Sequence, residues 1–102
     1  MTIRFLSKAL MASALMMGVG ISSYAKDIPA TYAKTCAVCH DAGSLNAPKK
    51  GDKAAWSKLK SQKGMTALVK ATREGMPQMP AKGLCNDCSN ADFQALIEYM
   101  AQ

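Results

Sequence analysis

The sequence predicts an all-α fold of three or four short helices. Two stretches of the chain repeat mostly apolar residues at positions i, i+3, i+4 and i+7, which is the spacing of one face of an α-helix. Between these stretches, the prolines and the glycine within residues 76–89 exclude a continuous helix or a central β-strand. No stretch alternates apolar and polar residues as a half-buried strand does, so nothing in the sequence favours a β-sheet.

Residues 1–25 have the features of a cleavable signal peptide. Arg4 and Lys8 precede an apolar run of about 13 residues, which is short of the roughly 20 residues that span a bilayer. Residues 23–25, Ser-Tyr-Ala, then fit an A-x-A-like cleavage site. We therefore expect export to the periplasm and cleavage at this site, which leaves residues 26–102 as one domain. An uncleaved membrane anchor is the alternative, and the two glycines within the run disfavour it.

The first two predicted helices flank a loop rich in glycine, asparagine and proline. Proline is favoured at the first helical position, so Ile28 and Pro29 predict the start of a helix. Tyr32 lies on the same face as Ile28, and the helix is expected to run directly towards Cys36. After the loop, Asp52 is a plausible N-cap for a second helix that contains Trp56.

The two later helices show the clearest periodicity. Gly75 predicts the end of the third helix, and Ser89 with Asp92 three positions later resembles a capping box for the last one. The residues predicted to share an inward face are Met65, Leu68, Val69 and Thr72 in the third helix and Phe93, Leu96, Ile97 and Met100 in the last.

Cys36, Cys39 and His40 form a C-x-x-C-H motif, which is the attachment motif of c-type haem. The two thiols can add across the two vinyl groups of one haem, and the histidine that follows is then held as the proximal ligand of the iron. His40 is the only histidine in the chain, which excludes ligation by two histidines of one chain. We therefore expect one covalently bound haem c per chain.

A methionine is the expected second axial ligand, because a thioether closes the sixth position of the iron and raises its reduction potential. Met65 and Met100 lie on predicted helix faces, where core packing explains them. Met76 and Met79 both precede a proline in the irregular stretch, which favours extended backbone at both positions. Met76 directly follows the glycine at the helix end, which favours Met79 but leaves both methionines as candidates.

A second C-x-x-C pair, Cys85 and Cys88, allows two other interpretations of the cysteines. A thioredoxin-like redox pair requires a βαβ context, and the sequence predicts no strands. Two C-x-x-C pairs can also form a four-cysteine zinc site. Export, the histidine that follows Cys39 and a methionine between two prolines disfavour zinc without excluding it.

Five motifs follow one another along residues 26–102. They are Tyr32-x-x-x-Cys36-x-x-Cys39-His40, Ala47-Pro48, Trp56, Met79-Pro80-Ala81-Lys82-Gly83 and Cys85-x-x-Cys88-Ser89. Together they resemble the class I c-type cytochromes, and specifically the short cytochrome c-five group of bacterial periplasms. The resemblance covers essentially the whole domain, and the second C-x-x-C pair is the feature that narrows it to this group.

The resemblance implies roles that the residue patterns leave open. It implies a small class I cytochrome c fold in which Met79 is the sixth ligand, because Met79 opens the M-P-x-K-G stretch. It also implies that Cys85 and Cys88 form a disulfide, since no histidine follows Cys88. The stretch before Met79 departs from the family pattern, because it contains a second methionine, Met76, and a second proline.

The resemblance further implies two residues that support the ligands. The carbonyl of Pro48 is expected to accept a hydrogen bond from the ring nitrogen of His40 that faces away from the iron, which orients the imidazole. Trp56 is expected to pack near the haem propionates, although an ordinary core position explains this tryptophan nearly as well.

The expected function is that of a soluble periplasmic one-electron carrier with His/Met ligation, which shuttles electrons between respiratory redox partners and is not an enzyme. The formal net charge is +6, and Arg4 and Lys8 of the leader supply two of the positive charges. A basic surface suits transient docking to acidic-surfaced redox proteins, such as membrane reductase or oxidase complexes. The lysines that flank the two ligand loops, and are the candidates for the docking rim, are Lys49, Lys50, Lys53 and Lys82.

Other functions are less well supported by the residues. Nucleic-acid binding is disfavoured because the chain is exported and only 6% of its residues are aromatic. A haem enzyme or sensor, in which the methionine dissociates to admit a ligand, lacks a distal histidine. After cleavage we expect no stable membrane insertion, and a role as a subunit of a larger complex stays compatible with electron transfer.

Overall fold

The computed structural model describes residues 26–102, so the predicted signal peptide lies outside the described residues. Five α-helices and two short 3-10 turns follow one another in this part of the chain. The helices are α1 (Ile28–Lys34), α2 (Ala37–His40), α3 (Lys53–Lys63), α4 (Met65–Glu74) and α5 (Asn90–Met100), and the 3-10 turns are Ser44–Asn46 and Ala81–Leu84.

The all-α prediction is confirmed. Over residues 26–102 the structure contains no β-strand, and only an isolated bridge joins Met76 and Met79. The predicted helices correspond to α1, α3, α4 and α5, while α2 is one additional turn that carries the C-x-x-C-H motif. None of the helices in this range is both long and apolar enough to cross a membrane.

Short polar side chains begin three of the helices. Asp27 caps α1 and Asp52 caps α3, since their carboxylates accept hydrogen bonds from the amides of Ala30 and Ala55 at 3.2 and 3.1 Å. The predicted capping box of α5 is complete. Ser89 Oγ accepts from the Asp92 amide at 3.2 Å, and the Asp92 carboxylate accepts from the Ser89 amide at 2.8 Å. These local bonds define where the helices that surround the site begin.

The core lies where α5 packs against α1 and α4. Phe93 and Leu96 of α5 are each only 1% exposed, and all four predicted inward residues of this helix are buried. In α4, Leu68 and Val69 are buried, and Met65 packs against them at the edge of the core. The buried core positions are Tyr32, Cys36, Trp56, Leu68, Val69, Cys85, Phe93, Leu96, Ile97 and Met100.

The core positions two loops next to each other. The α2 turn follows α1, which is anchored on α5 by the buried Tyr32. The 3-10 turn Ala81–Leu84 packs against α4 and holds the end of the loop that contains Met79. The C-x-x-C-H turn and the methionine loop therefore border one cavity, although about 40 residues separate them along the chain.

Candidate haem-binding site

A cavity of about 390 Å³ lies between the α2 turn and the methionine loop. Its volume is within the range of small-molecule and cofactor sites, and most of its lining is apolar. The predicted site residues that line it are Cys36, Cys39, His40, Pro48 and Met79, together with the rival methionine, Met76. The structure thus brings five of the six predicted haem-contacting or supporting residues together, and Trp56 is not among those that line the cavity.

The two attachment cysteines lie on one closed turn. The amides of Cys39 and His40 both donate to the carbonyl of Cys36, at 3.2 and 2.9 Å, so the motif forms one hydrogen-bonded turn. Both thiols are free. Burial raises the pKa of the Cys36 thiol above its ordinary value, so this sulfur stays protonated at neutral pH until it forms a bond. Two free thiols, an imidazole and a thioether on an apolar wall fit a c-type haem.

His40 is 7% exposed, and the backbone determines which of its ring nitrogens carries a proton. Its Nδ1 lies 2.7 Å from the carbonyl oxygen of Pro48, which can only accept, so Nδ1 is the donor. The neutral imidazole therefore keeps its lone pair on Nε2, the nitrogen that remains for an iron ligand. This is the hydrogen bond that the family resemblance led us to expect.

Trp56 lies behind His40 and is 4% exposed. The centroids of the two rings are 5.8 Å apart, and the ring planes are tilted by 35°. The indole N–H of Trp56 donates to the carbonyl of Lys49 at 2.9 Å, so the backbone already uses the single polar atom of this side chain. The structure therefore places Trp56 against His40 and against the backbone of Lys49, next to Pro48, whose carbonyl bonds to the His40 ring.

Met76 and Met79 form the two ends of a tight turn through Pro77 and Gln78. Their backbones exchange two hydrogen bonds, from Met76 N–H to Met79 C=O at 2.9 Å and from Met79 N–H to Met76 C=O at 3.0 Å. The additional methionine and proline of this chain therefore have a structural explanation, since they build the turn.

The two methionine side chains differ in burial. Met76 is 46% exposed, whereas Met79 is half-buried. The terminal methyl of Met79 also packs against Gly83, where a Cβ would lie only 3.2 Å from Met79 Cε. Both methionines line the cavity, but the side chain of Met79 is packed more closely by its neighbours.

Cys85 and Cys88 form a disulfide, with their Cα atoms 5.4 Å apart, as the resemblance implied. Their sulfurs are therefore not available as thiolates, and a four-cysteine zinc site cannot form among residues 26–102 in this state. The disulfide lies between the 3-10 turn that follows Met79 and the N-cap of α5. It connects the methionine loop to the core helix.

Contacts around α2 involve residues to which the sequence analysis gave no role at the site. The hydroxyl of Tyr32 donates to the carboxylate of Asp41, the residue after His40. Burial, together with this carboxylate, raises the pKa of the Tyr32 phenol above its ordinary value and keeps the phenol protonated as the donor. The position of Asp41 directly after the motif is the only sequence feature that could have indicated this contact.

Lys50 makes packing contacts that the sequence analysis did not predict. Its ammonium nitrogen lies 4.8 Å from the centroid of the Tyr99 ring and 5.8 Å from that of Tyr32, both within the range of cation–π contacts. Its backbone N–H donates to the carbonyl of His40 at 2.9 Å. The side chain of Lys50 therefore packs on two tyrosine rings, while its backbone is bonded to His40.

The chain matches a known protein family over residues 24–100, described as "Cytochrome C oxidase, cbb3-type, subunit III". Cytochrome c5 of Azotobacter vinelandii is 43% identical over 70 residues, which is 68% of this chain and 84% of that protein. Cytochrome c-555 of Chlorobaculum tepidum is 39% identical over 102 residues and covers 95% of this chain and 94% of its own.

Solved structures show the same fold. A mono-haem ferrocytochrome c from Shewanella putrefaciens superposes with a TM-score of 0.67 at 38% identity, over 74% of this chain and 93% of that one. A chain in a crystal structure titled as the electron transfer complex of nitrite reductase with cytochrome c gives a TM-score of 0.64 at 34% identity, over 76% of this chain and 99% of that one. Together with the C-x-x-C-H cavity, these matches show that the chain belongs to the class I c-type cytochromes, haem proteins that carry electrons.

Proposed function

We propose that this cytochrome is a periplasmic one-electron carrier whose single, covalently bound haem iron has His40 and Met79 as its axial ligands. The observation that carries the proposal is the shared cavity, in which the buried imidazole of His40 and the thioether of Met79 are brought together with two free thiols. When bound, haem c supplies a ferrous–ferric couple.

Different residues of the chain attach the haem and set its reduction potential. Cys36 and Cys39 attach it, and their placement on one closed turn fixes the attachment points relative to His40. The bond from His40 Nδ1 to Pro48 increases the electron density of the imidazole, which favours the ferric state. The soft sulfur of Met79 favours the ferrous state, so these two contacts act on the potential in opposite directions.

The protein is proposed to transfer electrons without being an enzyme. With His40 and Met79 on the iron, a substrate or oxygen molecule has no open coordination position. Catalysis by such a haem would require Met79 to dissociate, and among residues 26–102 the single histidine is already committed to the proximal side.

The proposed location is the periplasm. The leader features of residues 1–25 support export. We propose redox enzymes with acidic surfaces as partners, because one structural relative was solved in a complex with nitrite reductase and this chain is basic.

The purified, exported protein is expected to show sharp c-type absorption bands on reduction and to keep its haem through extraction with acidic acetone. Its mass should be that of a chain beginning at Lys26 plus one haem. A weak band at the red end of the oxidised spectrum is expected from the methionine–iron bond. The matched control is the double variant Cys36→Ala/Cys39→Ala, which should lose any haem on extraction because no thioether can form. Covalent haem binding is refuted if the unmodified protein releases its haem on extraction as the double variant does. A colourless product that contains zinc would refute it as well.

Reversing the charge of two exposed lysines beside the site, Lys49→Glu together with Lys53→Glu, is expected to slow electron transfer to an acidic partner roughly tenfold at low salt. The salt dependence of the rate should flatten as well, because less electrostatic attraction remains to be screened. Stopped-flow measurement of the transfer rate against ionic strength checks both effects.

The matched control for this pair is Lys63→Glu with Lys70→Glu, which makes the same change of charge at exposed lysines outside the segment that continues from the cavity-lining Pro48. Lys50 is excluded from the test, because its ammonium contacts Tyr99 and a reversal there would also alter packing. Equal effects of the two pairs would show that net charge alone, and not a rim beside the haem, attracts the partner.

A further inference from the structure

The segment 48–51 is a loop without regular secondary structure, yet its backbone is bonded at every residue. Two of these bonds go to His40. Pro48 C=O accepts from His40 Nδ1 at 2.7 Å, and Lys50 N–H donates to His40 C=O at 2.9 Å. The segment therefore holds the histidine both by its ring and by its main chain.

Lys49 lies between the two residues that bond to His40. Its carbonyl accepts from the indole N–H of Trp56 at 2.9 Å and from the amide of Asp52 at 3.1 Å. The bond from Asp52 is part of a local turn of the exposed loop, whereas Trp56 is 4% exposed and belongs to the core. The indole N–H is thus the contact that joins the middle of the segment to a buried side chain of α3.

Two further residues restrain the second half of the segment, Lys50 and Gly51. The amide of Gly51 donates to the carbonyl of Met100 at 2.7 Å, at the last residue of α5. The ammonium of Lys50 is exposed and is held by its contacts with the rings of Tyr99 and Tyr32. None of these contacts reaches the carbonyl of Pro48, which is separated from the indole bond by a single peptide unit.

We infer that Trp56 is a positioning residue for the axial histidine, acting through the carbonyl of Lys49 on the hydrogen bond between Pro48 and His40. The inference rests on His40 being an iron ligand, as proposed above. Rigid support of the Pro48 carbonyl keeps the hydrogen bond from His40 Nδ1–H to this carbonyl short. The short hydrogen bond gives the imidazole more electron density, which stabilises ferric iron. Loss of the indole N–H should therefore weaken the bond and raise the reduction potential.

The substitution Trp56→Phe tests this inference, because it keeps an aromatic ring against His40 and removes the N–H donor. The potential is expected to shift upwards. The exchange of the His40 Nδ1 proton with solvent, followed by proton NMR of the reduced protein, is expected to become roughly fivefold faster, the factor that one net hydrogen bond represents. The red-end absorption band should be retained, which shows separately that the proposed axial ligands are still in place.

The matched control is Thr72→Val. It also removes a side-chain hydrogen bond to a backbone carbonyl at 2.9 Å, from Thr72 Oγ1 to Leu68, but in α4. This variant is expected to change neither the potential nor the exchange of the His40 proton. If Trp56→Phe lowers stability but leaves both readouts at their original values, Trp56 has only a structural role and the inference is wrong.

A measurement on the unmodified holoprotein keeps the inference testable if Trp56→Phe does not fold. The Trp56 Nε1 and His40 Nδ1 protons should exchange through the same local opening, so their protection should fall in parallel as urea is added. The inference is overturned if the two protons respond independently to urea. It is also overturned if the indole N–H bonds to a haem propionate instead of to Lys49.

Discussion

Replacing Met79 with alanine is expected to abolish the red-end absorption band and to lower the reduction potential by on the order of 100 mV or more, within the roughly 0.8 V that axial ligands span. The physical reason is the loss of the thioether, the soft ligand that stabilises ferrous iron. Met79 is the expected ligand because it is half-buried on the cavity wall and packs against Gly83. Spectra and a redox titration of the purified variant measure both effects.

Met76→Ala is the matched control, since it removes the same side chain from the other end of the same turn. Met76 is 46% exposed, so this variant should keep the band and nearly the original potential. The reverse pattern would assign the ligand role to Met76. Carbon monoxide gives an independent readout, because the reduced Met79→Ala protein should bind it rapidly. Rapid binding by the unmodified protein at neutral pH would instead favour a ligand-binding enzyme or sensor.

Replacing Gly75 with alanine is expected to lower the free energy of unfolding by roughly 3–5 kcal/mol, from backbone strain and steric overlap together. Gly75 ends α4 with φ +89°, a conformation that side chains disfavour. A Cβ at this position would lie 2.9 Å from the amide nitrogen of Ala81 and 3.1 Å from the carbonyl oxygen of Met79. Both are backbone atoms, so relief requires the methionine loop itself to move.

The variant Gly64→Ala measures the cost of backbone strain without the steric overlap that Gly75→Ala adds. Gly64 ends α3 with φ 85° and ψ 154°, close to the 89° and 167° of Gly75, but no atom lies within 4 Å of the Cβ position. Its cost should be limited to backbone strain, about 1–3 kcal/mol. Denaturant unfolding of the two holoproteins gives the comparison, and only Gly75→Ala should also weaken the red-end band. Equal losses of stability would show that the close approach to Ala81 and Met79 has no energetic consequence.

Local features of the chain were sufficient to predict most of the fold. The inward faces of α4 and α5, the Asp52 cap and the capping box at Ser89 follow from residues three or four positions apart. Helix periodicity and capping depend on neighbours within one turn, so the sequence shows them directly. The α2 turn was not predicted as a helix, because four residues are too few to display a period.

The sequence by itself predicts haem attachment at Cys36, Cys39 and His40, because all three residues of the motif lie within one turn. Only the tertiary structure showed that Met79 is packed more closely than Met76. This difference arises because Gly83, in the 3-10 turn that packs on α4, contacts the Met79 side chain. The indole bond of Trp56 to Lys49 and the position of Lys50 over Tyr99 were likewise decided by packing. Burial and hydrogen-bond partners at these positions come from segments distant in the chain, and no local pattern encodes which of them will meet.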